Sequence, residues 1–386
     1  MTRPKLELIS LLKKYDGDVV AVDGINLAIS PGETLALLGP SGCGKSTTLN
    51  LIVGLEQPSS GDIRVDGDSV LNVPAGKRDI GLVFQDYAVF TSMTVYENLA
   101  FGLKMRGVPR KTIDAEVKET ARFIAMDDML EVKARDLGGS ELQRVAIGRT
   151  LVTRPSILLL DEPLSNLETD ARLAMRQELR RLRSDLGLTI IYVTHDQVEA
   201  LSLADRIAVM SDGKIIQTED AERILRMPGH THVAGFLGSP PMNLLYADIM
   251  KADDGSLLAV AGALSLSLPP LSLLLDYSGG MDCPAALNRM PERDAFIFGL
   301  RAEDLTLAPR DDAFLTGVVT NIEPRGGDCI LSLDANGTEL KAVAPSPCPV
   351  GEQEHVGLKL EPADIFFFDR NSNQRLELRF SREADA

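Results

Sequence analysis

Residues 39–46 constrain this chain more than any others: Gly39, Pro40, Ser41, Gly42, Cys43, Gly44, Lys45 and Ser46 fit the pattern G-x-x-x-x-G-K-[ST]. They follow a continuous apolar run, Thr34-Leu35-Ala36-Leu37-Leu38, and precede a segment of helical character from Ser46 to Leu55. The expected unit is therefore strand, phosphate loop, helix. Glycines let successive backbone N–H groups turn inward onto phosphate oxygens, and the helix start adds the positive end of its dipole. Lys45 is placed to reach the β- and γ-phosphates, and the Ser46 hydroxyl to ligate Mg²⁺. A chance match in a chain this long is on the order of one in a hundred, so the pattern predicts ATP binding and, with the residues that follow, hydrolysis.

Asp161 and Glu162 end a second apolar run, Ile157-Leu158-Leu159-Leu160. An acidic residue at the end of a buried strand, well after a phosphate loop, is the expected second Mg²⁺ support. That role falls to Asp161, and Glu162, pointing differently, is placed to polarise the attacking water. His195 ends a third run, Thr189-Ile190-Ile191-Tyr192-Val193, where parallel sheets gather ligands. It reads as a γ-phosphate contact. Cys43 reads as a loop filler whose backbone does the work, with an oxidisable thiol as the alternative. Arg172, Arg176 and Arg180 share a helix face at i,i+4 spacing and are expected to be solvated. His230 and His232 have no third ligand nearby and are expected at the surface.

Continuous apolar runs separated by helical segments, such as Ala171 to Leu186, indicate an open, largely parallel α/β sheet. The long interval between Lys45 and Asp161 implies an inserted subdomain, with helical spacing from Thr112 to Asp128. After Gly238-Ser239-Pro240-Pro241 the character changes to short alternating runs, including Phe296 to Leu300, Leu315 to Val319 and Ile365 to Phe368. A second, β-rich domain of sandwich or small-barrel type is expected there. The chain has 386 residues, enough for two domains. Its formal net charge of -16 argues against a general nucleic-acid binder. Cys43, Cys283, Cys329 and Cys348 form no C-x-x-C pair, so a reducing compartment fits better than a disulfide framework. No signal peptide is visible at Met1-Thr2-Arg3-Pro4. Ser256 to Leu275 is uncharged and long enough for a bilayer span. The alternation Leu264-Ser265-Leu266-Ser267-Leu268 instead predicts strands around a turn.

With these segments on the page, the chain resembles the ATP-binding subunit of ATP-binding-cassette (ABC) importers, of the maltose and glycerol-3-phosphate type. The resemblance rests on GPSGCGKST (39–47), VFQDYAVF (83–90), MTVYENLAFGLKMRG (93–107), QRVAIGRTLV (143–152), ILLLDEPLSNLE (157–168) and YVTHDQVEALSLADRIAVM (192–210). FLGSPPMN (236–243) and GLRAED (299–304) extend it, less specifically. It implies a P-loop ATPase domain over 1–237 with a helical subdomain at about 86–155. An accessory domain of OB-fold or TOBE type follows over 238–386. It further implies Tyr15 stacked on adenine, Thr47 beside the phosphates, and Gln85 touching Mg²⁺ and the attacking water. His195 becomes the switch histidine. The implied partners are a second cassette in a head-to-tail dimer, two integral membrane permease subunits and, indirectly, a solute-binding protein, at the cytoplasmic face of the inner membrane. The cargo is expected to be a carbohydrate or polyol. Import of a polyamine, metal or inorganic anion, or a non-transport cassette, are the alternatives.

Two segments depart from the family pattern. Where L-S-G-G-Q is expected, the chain reads Leu137, Gly138, Gly139, Ser140 and Glu141. This loop is implied to face the γ-phosphate held by the opposite subunit, where the Glu141 charge should cost affinity. A homodimer would carry the defect twice and a heterodimer once. The milder departure is Glu168, where the family usually has aspartate.

Overall fold

The computed structural model describes residues 3–251, 257–261, 264–268, 273–275, 295–361, 364–376 and 378–380. The chain divides into two compact units, Met1–Ile224 and Leu225–Ala386. The first opens with β1 (Leu6–Lys14), β2 (Val20–Ile29), β3 (Thr34–Leu38) and α1 (Lys45–Val53). Strands β4 (Ser60–Val65), β5 (Asp68–Ser69) and β6 (Ile80–Val83) follow, then helices α2 (Val95–Met105), α3 (Arg110–Phe123) and α4 (Gly139–Leu151). The unit continues with β7 (Ile157–Asp161), α5 (Thr169–Leu186), β8 (Thr189–Thr194), α6 (Gln197–Leu203), β9 (Arg206–Ser211) and β10 (Lys214–Asp220). A short helix, α7 (Ala221–Arg226), crosses the division.

Two sheets result. Strands β2, β1, β4 and β5 lie side by side in an antiparallel sheet. The larger sheet runs β10-β9-β3-β8-β7-β6, parallel except for the β9–β10 hairpin. Every residue of β3 and β8 is buried, as are the first four of β7. Burial on both faces is why these strands read as unbroken apolar runs rather than alternating ones. Leu35 and Leu159 both pair with Ile191, so the three strands are in lateral register. Their carboxyl ends therefore fall on one edge.

The inserted segment between β6 and β7 is helical, as the sequence predicts. Thr94 caps α2: its hydroxyl accepts from the Glu97 N–H at 3.2 Å, and Glu97 accepts from the Thr94 N–H at 2.9 Å. Buried Asn98 accepts from the Phe90 N–H and donates to the Phe90 and Thr94 carbonyls, at 2.9–3.0 Å. Gly148 permits the helices to close up, since a Cβ there would stand 2.5 Å from Ile124 and 2.8 Å from Leu99.

The second unit holds α8 (Thr231–Phe236) and an antiparallel sheet of six strands. These are β11 (Asn243–Lys251), β12 (Leu257–Ala261), β13 (Leu264–Leu268), β15 (Ala295–Leu300), β21 (Phe366–Asp369) and β22 (Arg375–Leu376). A two-stranded pair joins β14 (Leu273–Leu275) to β23 (Leu378–Phe380). A five-stranded sheet contains β16 (Thr306–Ala308), β17 (Leu315–Pro324), β18 (Asp328–Ala335), β19 (Thr338–Pro345) and β20 (His355–Lys359). One core, including Leu245, Phe298, Leu315, Leu331, Leu358 and Phe367, draws on both larger sheets. A register shift at Val319/Asn321 bends β17. The unit is the β-rich, OB-like architecture expected.

The uncharged stretch at 256–275 contains strands. β12 and β13 pair from Leu257↔Leu268 to Ala261↔Leu264, while Pro269 and Pro270 lie outside the described residues, as does Cys283. Among the described residues no helix is long and apolar enough to cross a membrane. The two histidines depart from expectation, because neither is a surface residue. His230 is half-buried and its Nδ1 accepts from the His232 N–H at 3.0 Å, while His232 stacks on Phe236 with its Nε2 buried. Among the described residues, no group of three or more His, Cys, Asp or Glu side chains could hold a metal.

Leu158, fully buried in β7, provides a test of this sheet. Leu158→Ala is expected to cost about 2–5 kcal/mol, read as a lowered denaturant midpoint by circular dichroism.

Candidate functional site

The phosphate loop is seated by backbone packing. A Cβ at Gly39 would stand 2.3 Å from the Met210 carbonyl, and one at Gly44, where φ is +103°, would stand 2.2 Å from the Ala21 carbonyl. Neither position tolerates a side chain, so the loop is pressed against neighbouring main chain at both ends. Lys45 is buried, and its Nζ donates to the Gly39 and Pro40 carbonyls, each at 2.8 Å. The ammonium thus closes the loop on itself. Cys43 is also buried, with Sγ 3.9 Å from that ammonium. Burial raises its thiol pKa, against a smaller downward pull from Lys45. This supports the loop-filler reading over an oxidisable thiol.

At the ends of β7 and β8 the predicted residues meet. The Ser46 hydroxyl donates to Asp161 Oδ1 at 3.1 Å. Burial raises the Asp161 pKa, and the Ser46 hydrogen bond opposes it. Glu162 Oε2 accepts from Gln85 Nε2 at 3.2 Å, and Oε1 lies 3.3 Å from His195 Nδ1. One carboxylate is therefore held between an amide and an imidazole. Glu162 has φ +45°, unusual for a residue with a side chain, and its N–H donates to the Val193 carbonyl at 3.1 Å. That conformation turns its carboxylate away from the direction Asp161 takes. Gln85 is placed against Glu162 rather than against the Ser46–Asp161 pair.

The oxygen pair at Ser46 and Asp161 suits a hard cation that completes its shell with phosphate and water. The chain supplies only a few oxygens there, which is the donor set Mg²⁺ takes beside phosphates. Tyr15 is 40% exposed beyond the end of β1, with its hydroxyl on Glu56 Oε2 at 2.5 Å and Lys13 Nζ 4.9 Å from its ring centroid. The Glu56 hydrogen bond raises its pKa, and a hydrogen bond with Thr47 opposes it. Tyr15 thus sits against Thr47, in the first turn of the helix that follows the phosphate loop.

Gly138, Gly139, Ser140 and Glu141 lie at the start of α4, on the inserted helices and not at the strand ends. Glu141 Oε2 accepts from the Gly138 N–H at 2.8 Å. The carboxylate therefore occupies the positive end of the helix, where it is stabilised, and engages a donor the loop could otherwise present.

Sequence reasoning missed several contributors. Asn166 donates to the Gln85 carbonyl at 2.9 Å, and Ser165 to the Glu162 carbonyl at 2.9 Å. The expectation of a solvated arginine face on α5 holds for Arg180, which is exposed and donates to the Ser202 carbonyl, and is corrected for Arg172 and Arg176, which are half-buried with their Nη atoms each 3.9 Å from Asp196 Oδ2. Helical spacing gives a shared face but not its direction. The signal was Asp196, a capping residue directly after His195.

Comparison with known proteins follows this geometry. Residues 22–165 match the ABC transporter family model, and residues 298–368 match the TOBE domain model. The chain is 40% identical over 387 residues to the trehalose/maltose import ATP-binding protein MalK of Thermococcus litoralis, covering 96% of this chain and 99% of that protein. It is 38% identical over 378 residues to the sn-glycerol-3-phosphate import ATP-binding protein UgpC of Cupriavidus pinatubonensis, covering 97% and 99%. Among solved structures, cbiO1 of Clostridium perfringens, part of the ABC transporter complex cbiONQ, is similar at TM-score 0.54 and 30% identity, covering 58% of this chain and 96% of that one. A dimeric ATP-binding cassette in a post-hydrolysis state, bound to ADP and Pi, is similar at TM-score 0.51 and 29% identity, covering 56% and 98%.

Lys45→Ala removes the loop's internal donor together with its positive charge. Nucleotide affinity is expected to fall by roughly tenfold to a hundredfold or more, as for a charged hydrogen bond, in a titration with a fluorescent ATP analogue.

Proposed function

Because the chain belongs to the family of ATP-binding subunits of ABC importers, we propose that it hydrolyses ATP at the Glu162–His195–Gln85 cluster to drive uptake of a carbohydrate or polyol. The chain is an ATPase coupled to transport. The solute class is supported by the trehalose/maltose and sn-glycerol-3-phosphate import proteins, which match nearly end to end. The observation that carries the mechanism is the Glu162 carboxylate, held 3.2 Å from Gln85 and 3.3 Å from His195 beside the phosphate loop.

The residues divide the work as follows. Lys45 Nζ exchanges the Gly39 and Pro40 carbonyls for β- and γ-phosphate oxygens. Backbone N–H groups of the loop, including those of Gly42, Gly44 and Ser46, cradle the same phosphates, and Tyr15 offers its ring to the adenine. Glu162 accepts a proton from the attacking water as its oxygen bonds to the γ-phosphorus and the bond to the bridging oxygen breaks, leaving ADP and phosphate. Gln85 fixes the orientation of that carboxylate and of the water. His195 donates to the γ-phosphate from the ring nitrogen that does not face Glu162. Ser46 and Asp161 would hold Mg²⁺, which when bound neutralises charge on the phosphates.

The chain acts with a second cassette in a head-to-tail dimer and with two integral membrane permease subunits, at the cytoplasmic face of the inner membrane. A solute-binding protein supplies the cargo. Within this reading residues 1–237 are the ATPase domain, with 86–155 as its permease-gripping helical subdomain, and 238–386 are the accessory domain. The loop 138–141 faces the partner's nucleotide, and the Glu141 carboxylate at the helix start weakens that opposite site. Pairing with a different cassette subunit would halve this cost, and the Glu141–Gly138 contact favours it.

Three measurements test the assignment. Glu162→Gln should lower ATP turnover by at least about a hundredfold, the low end for general-base loss, without loss of nucleotide binding. Unchanged turnover would remove Glu162 from the mechanism. Glu141→Gln should raise turnover of the purified transporter several-fold, since it lifts a like charge from the opposite phosphate. Counting distinct ATPase chains in the same preparation decides between one cassette and two.

A further inference from the structure

The elements carrying Glu162 and His195 are separate in sequence, yet one side chain touches the turn that follows each. Arg172, in the first turn of α5, donates from Nη2 to the Leu167 carbonyl at 3.3 Å, in the loop that descends from Glu162. The same guanidinium faces Asp196 Oδ2 at 3.9 Å through Nη1 and Glu199 Oε1 at 4.0 Å through Nε. Arg176, one turn later on α5, faces Asp196 Oδ2 at 3.9 Å. Asp196 directly follows His195 and caps α6: its Oδ1 accepts from the Val198 N–H at 2.7 Å and the Glu199 N–H at 3.3 Å.

The far side of the histidine is fixed as well. Thr194 Oγ1 donates to Glu199 Oε2 at 2.8 Å and accepts from the Asp196 N–H at 3.0 Å. Tyr192 donates to the Glu199 and Ala200 carbonyls at 3.0 and 3.2 Å. His195 stands out of this turn, 55% exposed, between neighbours tied down on both sides. Glu199 is nearly fully buried, at 4% exposure, and two arginines balance two carboxylates across the helix pair. The Nε groups of both arginines are buried without a hydrogen-bond acceptor. Such donors carry an unrecovered desolvation cost. Here the pairs stand at 3.9–4.0 Å, at the edge of ion-pair contact and beyond hydrogen bonding.

We propose that Arg172, seconded by Arg176, is a positioning residue that locks the His195 turn to the Glu162 loop through Asp196 and the Leu167 carbonyl. It touches neither nucleotide nor reacting atoms. It sets the spacing of the two groups that do, and misplacement of about 1 Å between such groups costs on the order of a hundredfold in rate. The inference rests on the reading that Glu162 and His195 act at the γ-phosphate.

The test is a double-mutant cycle in ATP turnover by the full-length chain, with binding followed by a non-hydrolysable fluorescent ATP analogue. Arg172→Met should lower kcat by roughly tenfold to a hundredfold while KM and analogue affinity stay within about twofold, because the phosphate loop and Tyr15 are untouched. Arg172→Lys, which keeps the charge but not the fork, should recover part of the loss. In a His195→Ala background, Arg172→Met should add almost nothing. Multiplying losses, or full turnover by Arg172→Met, would overturn the inference. If Arg172→Met fails to fold, Asp196→Asn carries the same cycle, since asparagine keeps the helix cap and loses the charge. Full turnover by His195→Ala would instead overturn the underlying reading, and the inference with it.

Discussion

The lateral register of three buried parallel strands is the constraint on which the rest depends. Leu35, Ile191 and Leu159 sit abreast in β3, β8 and β7. A shift of one residue in either ladder would turn every buried side chain over, and it would move the strand ends by about 3.3 Å. The ends carry Gly39, His195 and the Asp161–Glu162 pair; the contacts of His195 with Glu162 at 3.3 Å and of Ser46 with Asp161 at 3.1 Å leave no room for such a shift. Hydrophobic burial at the centre of the sheet thus sets the tolerance of the chemistry at its edge. The inserted helices lie outside this ladder, and Gln85 reaches the cluster from the segment that joins them to β6.

Charge is arranged around that edge with an economy that differs from one site to the next. Asp161 is half-buried, and the desolvation raises its pKa, which the Ser46 hydroxyl only partly offsets. Lys45 is buried against carbonyls, not against a carboxylate. Glu141 sits at a helix start that stabilises it. The Glu141 placement stabilises this chain in isolation while the Asp161 one does not, and the effect on a phosphate differs again. Lys45 is attractive, Asp161 is compatible only through a cation, and Glu141 is repulsive. In the proposed dimer the loop at 138–141 is therefore a comfortable local structure and a poor partner surface at once.

Much of this was legible in the sequence because the decisive strands are buried on both faces and therefore appear as unbroken apolar runs. Residues 34–38, 157–160 and 189–193 could be read directly, and the glycine pattern located the phosphate loop between strand and helix. The β-rich character beyond residue 240 showed in its alternation. What stayed hidden depended on direction and not on period. The i,i+4 arginines of α5 define a face without saying whether it meets water, and only the packed Asp196 and Glu199 explain why two of them point inward. His230 and His232 looked like linker residues because a six-residue helix leaves too short a pattern to detect. The contact of Tyr15 with Glu56 joins distant segments and had no local signal. Its role came from family resemblance alone.

The contact of Lys45 with the Gly39 and Pro40 carbonyls has a thermodynamic consequence. The loop's own backbone acts as a tethered competitor for the ammonium, so ligand entry exchanges one set of hydrogen bonds for another. Much of the gross enthalpy of the new contacts is cancelled by the old ones surrendered. In return the loop is already ordered, and little conformational entropy remains to be lost. Affinity at such a loop is then governed by the difference between phosphate and carbonyl as acceptors. A ligand lacking the terminal phosphate would gain less from that exchange.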